Sequence, residues 1–199
     1  RFLDLCHQRG LKVILQLVGQ NPSQEFAPDC LLRPAWFLHP LPGSIWANIN
    51  HPKVEALVRR SFKACVGSLK HHPAVFAWDV FNEANFRSDD RWSTAKYQRW
   101  LRSRYGSIGR LNRLWLRRFR SFVQIRPEEH RANYSTWSSL LPAVEIEAFH
   151  AANLTGICRR WCAQVKALDP VHPVIVDGTT AQLLYADLSA RNCDEFDLA

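Results

Sequence analysis

The sequence predicts an α/β fold, a parallel sheet covered by helices, read as a partial (β/α)8 TIM barrel. Three observations carry that prediction. Short, apolar, β-branched runs alternate with helical patterns along the chain, as strands buried on both faces by crossover helices do. No Gly-rich phosphate turn follows any of them: Gly is 8 of 199 residues, and neither GxGxxG nor GxxxxGK occurs. A doubly wound sheet also satisfies the alternation, but it usually carries such a turn. Long loops bearing tryptophan follow the strands instead, and a barrel builds its site from the loops after its strands.

The elements run in the following order. Phe2, Leu3, Leu5 and Cys6 read as the end of a helix that Gly10 stops. Leu11 to Leu17 is a short β-branched strand. A loop from about Val18 to Ile49, rich in Pro, Gly, Asn and Trp, is longer than compact domains usually tolerate without a function for it. Asn50 or His51 then caps a helix with Pro52 in its first turn, and Val54, Leu57, Val58, Phe62, Cys65, Val66 and Leu69 form its apolar stripe. Ala74 to Phe81 is the second strand. Two helices broken at Gly106 follow, then a helix carrying Leu154, Ile157, Trp161, Val165 and Leu168, closed by Asp169-Pro170. Glu145 and Glu147 are placed in the first turn of a helix, where the dipole favours carboxylates. Val174 to Val176 is a third strand, Asp187 and Leu188 fall in another helix, and a fourth strand begins at Asp194. Four strands are half of a barrel. The chain contains no Met and opens at Arg1 in mid-pattern, so residues 1–199 are expected to be a fragment of a single barrel domain, truncated at both ends.

Composition narrows the function classes. At 47% hydrophobic the chain can bury a core, which argues against disorder. No apolar run reaches the length of a membrane span and no signal peptide is visible. Cys6, Cys30, Cys65, Cys158, Cys162 and Cys193 lack CxxC spacing and clustered histidines, so no metal or other cofactor is expected. Cys6 and Cys65 sit on apolar helix faces. Reduced structural thiols of this kind lean towards the cytoplasm. The net charge of +8 lies largely in Arg99, Arg102, Arg104, Arg110, Arg113, Arg117, Arg118 and Arg120. Such a run can hold phosphates. Here Trp100, Leu101, Tyr105, Leu111 and Trp115 interleave with it as the buried side of helices would, so a solvated face is expected and no nucleic-acid partner.

The stretch His71 to Phe86, HHPAVFAWDVFNEANF, poses the functional question. A carboxylate ending a buried strand is costly unless something uses it. At the C-terminal end of a barrel strand Glu83 would face the pocket. Glycoside hydrolysis needs two carboxyl groups across a sugar bond, one to protonate the leaving oxygen and one to attack or activate water. Asn82 can hydrogen-bond a sugar hydroxyl, and Trp78, Trp36 and Phe86 offer aromatic surface for stacking. As a bare dipeptide, Asn-Glu reads equally as a cap of the next helix.

The surrounding residues go further. His72-Pro73-Ala74-Val75 followed by Trp78-Asp79-Val80-Phe81-Asn82-Glu83 resembles the fourth-strand signature of the clan of retaining (β/α)8 glycoside hydrolases. Arg33-Pro34-Ala35-Trp36-Phe37 with His39-Pro40 is similar to the loop after the third strand in glycoside hydrolase family 42, the β-galactosidase family. Trp100-Leu101, Tyr105-Gly106-Ser107-Ile108, Leu111-Asn112 and Trp115 resemble that family's insertion, and Leu168-Asp169-Pro170 with His172-Pro173-Val174 its approach to the fifth strand. The resemblance runs from Leu11 to about Val176. Two departures stand out: Phe81 occupies the place where the family usually has Asp, and the clustered cysteines on which some members hold zinc are absent from the pattern here.

The resemblance implies a catalytic barrel covering about strands three to six, with Glu83 as general acid/base. It implies a β-glycoside as substrate, and a nucleophilic Glu on the seventh strand, beyond Ala199. Asn82, Trp36, Trp78 and Asp177 are the substrate-binding candidates, Asp177 because it directly follows the third strand. The isolated segment is expected to be inactive, and self-association of the full-length protein is left open. Cellulase- or mannanase-like members of the same clan also fit. Two rivals stand: a barrel that binds carbohydrate without cleaving it, betrayed by the lack of an acid opposite Glu83, and a nucleic-acid binder, betrayed by sequence- or structure-selective retention.

Overall fold

The computed structural model of the protein describes residues 1–19, 37–38, 46–84, 86–127 and 137–176, with the backbone alone at 37–38, 46 and 137–139. It divides into two compact units, Arg1–Asn85 with Leu154–Ala199, and Phe86–Asn153.

The first unit is a parallel sheet with helices. Helix α1, Phe2–Gln8, buries Leu3 and Cys6. Its chain reverses through Gly10, whose φ of 68° is a left-handed value that glycine adopts without strain. Strand β1, Val13–Gln16, follows. Inside the predicted long loop the structure has a small antiparallel ribbon, β2 Phe37–Leu38 paired with β3 Trp46–Ala47. Helix α2, Pro52–Leu69, is capped by His51, whose Nδ1 accepts the Lys53 N–H at 3.1 Å. Its buried line is Val54, Val58, Phe62 and Val66. Steps of four rotate the buried side by about 40° each. By the last turn that rotation has left Cys65 behind, and the thiol expected on the apolar face is exposed.

Strand β4, Val75–Asp79, takes the centre of the sheet, in the order β1-β4-β5, with β5 at Val174–Ile175. Both pairings are parallel, with Gln16 opposite Asp79 and Trp78 opposite Val174. The central place explains why four of the five β4 residues are buried.

One helix runs from Trp137 to Leu168, here α5. Its part in the first unit buries Leu154, Ile157, Cys158, Trp161, Cys162 and Val165. The Trp161 ring lies edge-on to Phe62 at 6.0 Å and against Phe81 at 5.5 Å, which joins α2, the end of β4 and α5 in one core. The helix begins eight residues before Glu145, with Pro142 inside it. Glu145 and Glu147 therefore stand in its third turn rather than its first, too far from the helix start for the dipole to favour them.

The second unit is helical. Helix α3, Arg91–Tyr105, is capped by Asp90, which accepts the N–H groups of Trp92 and Ser93. It ends at Gly106 with φ 73°, and α4, Ile108–Trp115, starts from a Ser107 cap. A 3-10 turn covers Phe122–Gln124. The break at Gly106 falls where the sequence placed it. The interleaved apolar residues meet as expected: Leu101, Tyr105, Leu111 and Trp115 pack with Tyr97, Phe122, Ile125, Ile146 and Phe149. Within this core Glu145 is 3% exposed and accepts from Tyr105 Oη at 2.7 Å and Arg104 Nε at 2.8 Å.

Candidate active site

Parallel strands end on the same edge, so β1, β4 and β5 deliver their C-terminal residues together. The backbone there is held past the end of β4. Leu17 N–H bonds to Asp79 O at 2.8 Å, Val80 N–H to Ile175 O at 2.9 Å, and Asn82 N–H to Val18 O at 3.0 Å. The buried carboxylate of Asp79 accepts the Phe81 N–H at 3.1 Å and tightens the turn. These bonds fix the chain up to the residue before Glu83.

Glu83 itself is exposed and has a φ of 46°. A left-handed backbone is uncommon for a residue with a Cβ that is neither Asn nor Asp, and it persists only where surrounding contacts impose it. Such residues concentrate at functional sites. Asn82, beside it, is half-buried. The pair therefore sits together at the C-terminal edge of the sheet, one side chain partly packed and the other presented to solvent.

The remaining candidates divide. Trp36 and Asp177 lie outside the described residues. Trp78 is wholly buried, and its Nε1 donates to Asp169 Oδ2 at 2.8 Å. An indole closed in on every side offers a sugar no stacking face, so the structure puts Trp78 in the framework of the sheet. Its partner Asp169, whose side chain had no role legible in the sequence, collects more than this one bond. It accepts the N–H groups of Val171 and His172, and pairs with His172 Nδ1 at 2.7 Å. Burial would raise its pKa, but the donors from Trp78, His172 and the backbone outweigh that and bring it down to about 2. This network joins the end of α5 to β4 and to the chain entering β5. The sequence signal for it was the Asp-Pro-x-His spacing, read there as a helix stop and as the family's approach to the fifth strand.

Cys158 shows the opposite regime. Burial, reinforced by the Asp79 charge, pushes its thiol up to about 12. The thiolate is the nucleophilic form, so this cysteine is inert at neutral pH and belongs to the core. Among the described residues no three His, Cys, Asp or Glu side chains gather to hold a metal ion, and no helix is long and apolar enough to cross a membrane.

The chain is thus an α/β protein whose parallel sheet carries an Asn-Glu pair on its C-terminal edge, the class of scaffold on which barrel enzymes place their chemistry. Residues 1–197 match the sequence model of glycoside hydrolase family 42, described as beta-galactosidase. The chain belongs to that family. It is 23% identical over 169 residues to the beta-galactosidase BgaB of Geobacillus kaustophilus, covering 73% of this chain and 24% of that protein. Its fold is similar to the beta-galactosidase of Bacillus circulans sp. alkalophilus, with TM-score 0.76 at 16% identity over 99% of this chain and 31% of the other. It is also similar to that of the psychrophilic Marinomonas ef1, with TM-score 0.70 at 19% identity over 87% of this chain and 28% of the other. The chain spans about a quarter of the length of the curated relatives it matches.

Proposed function

We propose that the full-length protein is a retaining glycoside hydrolase acting on β-galactosides, with Glu83 as its general acid/base. The observation that carries the reading is Asn82-Glu83 on the C-terminal edge of the parallel sheet, with Glu83 in a left-handed conformation and its side chain exposed. Membership of family 42 supports the reaction class. In this reading the three described parallel strands belong to strands three to six of one catalytic (β/α)8 barrel. Residues 1–199 supply part of that barrel and one of its two carboxyl groups.

The chemistry follows from the placement. In the first step Glu83, protonated, hands its proton to the glycosidic oxygen as the bond to the anomeric carbon breaks. A second carboxylate, supplied from outside residues 1–199, attacks from the opposite face and forms a glycosyl ester. Glu83, now ionised, takes a proton from water, which displaces the ester and restores both groups. Retention by this route needs the two carboxyl groups about 5–5.5 Å apart. A general acid must carry its proton when the substrate binds. Substrate and the second carboxylate provide the dry, negatively charged surroundings that keep it protonated. Asn82 is the hydrogen-bond partner of a sugar hydroxyl, and Trp36 and Asp177 remain substrate-facing candidates by the same reading.

The test is a panel of aryl glycosides given to the full-length protein, with the anomer first released followed by proton NMR. β-Galactosides are expected to turn over fastest, and the product to appear first as the β-anomer. The α-anomer as first product would exclude the double displacement. Faster cleavage of β-glucosides or β-mannosides would move the protein to a cellulase- or mannanase-like specificity. Binding without turnover would favour the non-catalytic barrel.

A further inference from the structure

The second unit is far more basic than the rest of the chain. Residues 86–153 hold thirteen Arg and Lys against six Asp and Glu, so they carry +7 of the net +8. Three of the six carboxylates are committed inside the unit: Glu145 to Arg104 and Tyr105, Glu147 to Arg87 at 2.8 Å, and Asp90 to the cap of α3. The excess positive charge is left on the surface, and it is densest just after α4.

There the chain makes a tight, pre-formed turn. Leu116 takes a left-handed φ of 56° although it is 73% exposed, so burial does not repay that conformation. Asn112 holds the turn closed. Its Nδ2 donates to Phe119 O at 2.8 Å, its Oδ1 accepts the Phe119 N–H at 3.0 Å, and its carbonyl accepts the Arg117 N–H at 3.0 Å. Asn112, Arg113, Leu116, Arg117 and Arg118 line one open concavity of about 490 Å³. Arg113 and Arg118 are exposed and Arg117 half-buried. Among the described residues no carboxylate lies within ion-pair distance of any of the three. Guanidinium groups are flat forks that match oxyanions, and a turn already locked costs less order on binding than a mobile one.

We infer that this concavity binds the anionic substituents of a charged galactan, sulfate ester or uronate carboxylate, and brings such a chain to the enzyme. The inference rests on the glycosidase reading above for its choice of a sugar chain. Nucleic acid presents oxyanions too, but unspecific single-strand binding also uses exposed aromatic platforms. Among the described residues of this unit the large apolar side chains that are exposed are aliphatic, Leu114, Leu116, Val123, Leu140 and Val144, while Tyr97, Tyr105, Trp115, Phe122 and Phe149 are buried and Trp92, Trp100 and Phe119 half-buried.

Isothermal titration of the full-length protein decides it. The probes are a sulfated galactan tetrasaccharide, a uronate-bearing one, their neutral parent, inorganic sulfate, and a mixed-sequence DNA in single- and double-stranded form. At least one charged tetrasaccharide is expected to bind tenfold or more tighter than the neutral parent, inorganic sulfate and either DNA. Arg113→Gln with Arg118→Gln should remove most of that advantage. Arg59→Gln with Arg60→Gln, which deletes equal charge from the exposed side of α2, should change it less than threefold. Arg113→Lys with Arg118→Lys keeps the charge but not the fork, and should lose a measurable part; this milder pair serves if the glutamine pair fails to fold. Equal losses from both glutamine pairs would mean diffuse attraction and no site. Inorganic sulfate as tight as the sugars would make it a free-anion site, and tighter DNA would make it a nucleic-acid surface; either overturns the inference. Turnover of a neutral aryl galactoside should be unchanged in every arginine variant. A wild-type protein that bound charged galactan but left the aryl galactoside intact would fail the glycosidase reading while sparing this one.

Discussion

At Glu83 a local rule is broken. A glutamate with φ 46° follows a strand in which four of five residues are buried. Nothing in the string Phe-Asn-Glu-Ala announces a left-handed residue, since Asn82 would have been the natural choice for one. The bonds from Asp79 Oδ1 to Phe81 and from Asn82 to Val18 determine the path into Glu83, so the strain is imposed by the sheet and paid by a residue with no conformational reason to be there. Under the proposed assignment the reason is chemical. Glu83→Gly should therefore cut turnover of alkyl galactosides by orders of magnitude yet leave the protein as stable as before, or more stable by about 1 kcal/mol, because glycine takes this conformation freely. Urea denaturation of the two proteins reads the difference. A glycine variant that loses 2 kcal/mol or more would mean that the glutamate side chain is part of the structural framework.

Among the elements, the sequence was most legible where period and cap agreed. His51 before Pro52 and the i, i+4 line from Val54 to Val66 predict α2 almost to the residue. Gly106 between two amphipathic runs predicts the α3–α4 break. The start of α5 was misjudged because the two glutamates read as the first turn of a helix, whereas the helix begins at Trp137 and carries Pro142 inside it. Trp78 was misread because strand alternation does not say which face meets solvent, and here both faces of β4 are covered at that level. The Asp169 network was illegible for a different reason: its bond to Trp78 spans 91 residues, and only the fold brings them together. That network also makes a prediction. Asp169 has its pKa lowered from 3.8 to about 2 on folding, so its contribution to stability is complete above the unfolded value and lost as pH falls through the folded one. The difference in unfolding free energy between wild type and Asp169→Asn should be about 2 kcal/mol at pH 7 and shrink steadily below about pH 4. A difference independent of pH between 7 and 3 would show that the carboxylate's charge contributes nothing.

For the whole molecule, alternation of strands and helices was enough to predict a parallel α/β protein, and the structure has that sheet in the order β1-β4-β5. The division into a sheet-bearing unit and a basic helical one was not read from the sequence. The arginine run had the look of an ordinary solvated face, and its concentration around one locked turn appears only once Asn112 and Phe119 are seen to meet. The functional account depends on one group, and the kcat/KM of the full-length Glu83→Gln variant on two galactosides tests it most directly. With an alkyl or phenyl leaving group, which needs a proton to depart, kcat/KM should fall by about 10²–10⁴-fold, whereas with dinitrophenol, which leaves unaided, it should change little. Equal values for variant and wild type on the alkyl galactoside would contradict the assignment of Glu83 as the proton donor.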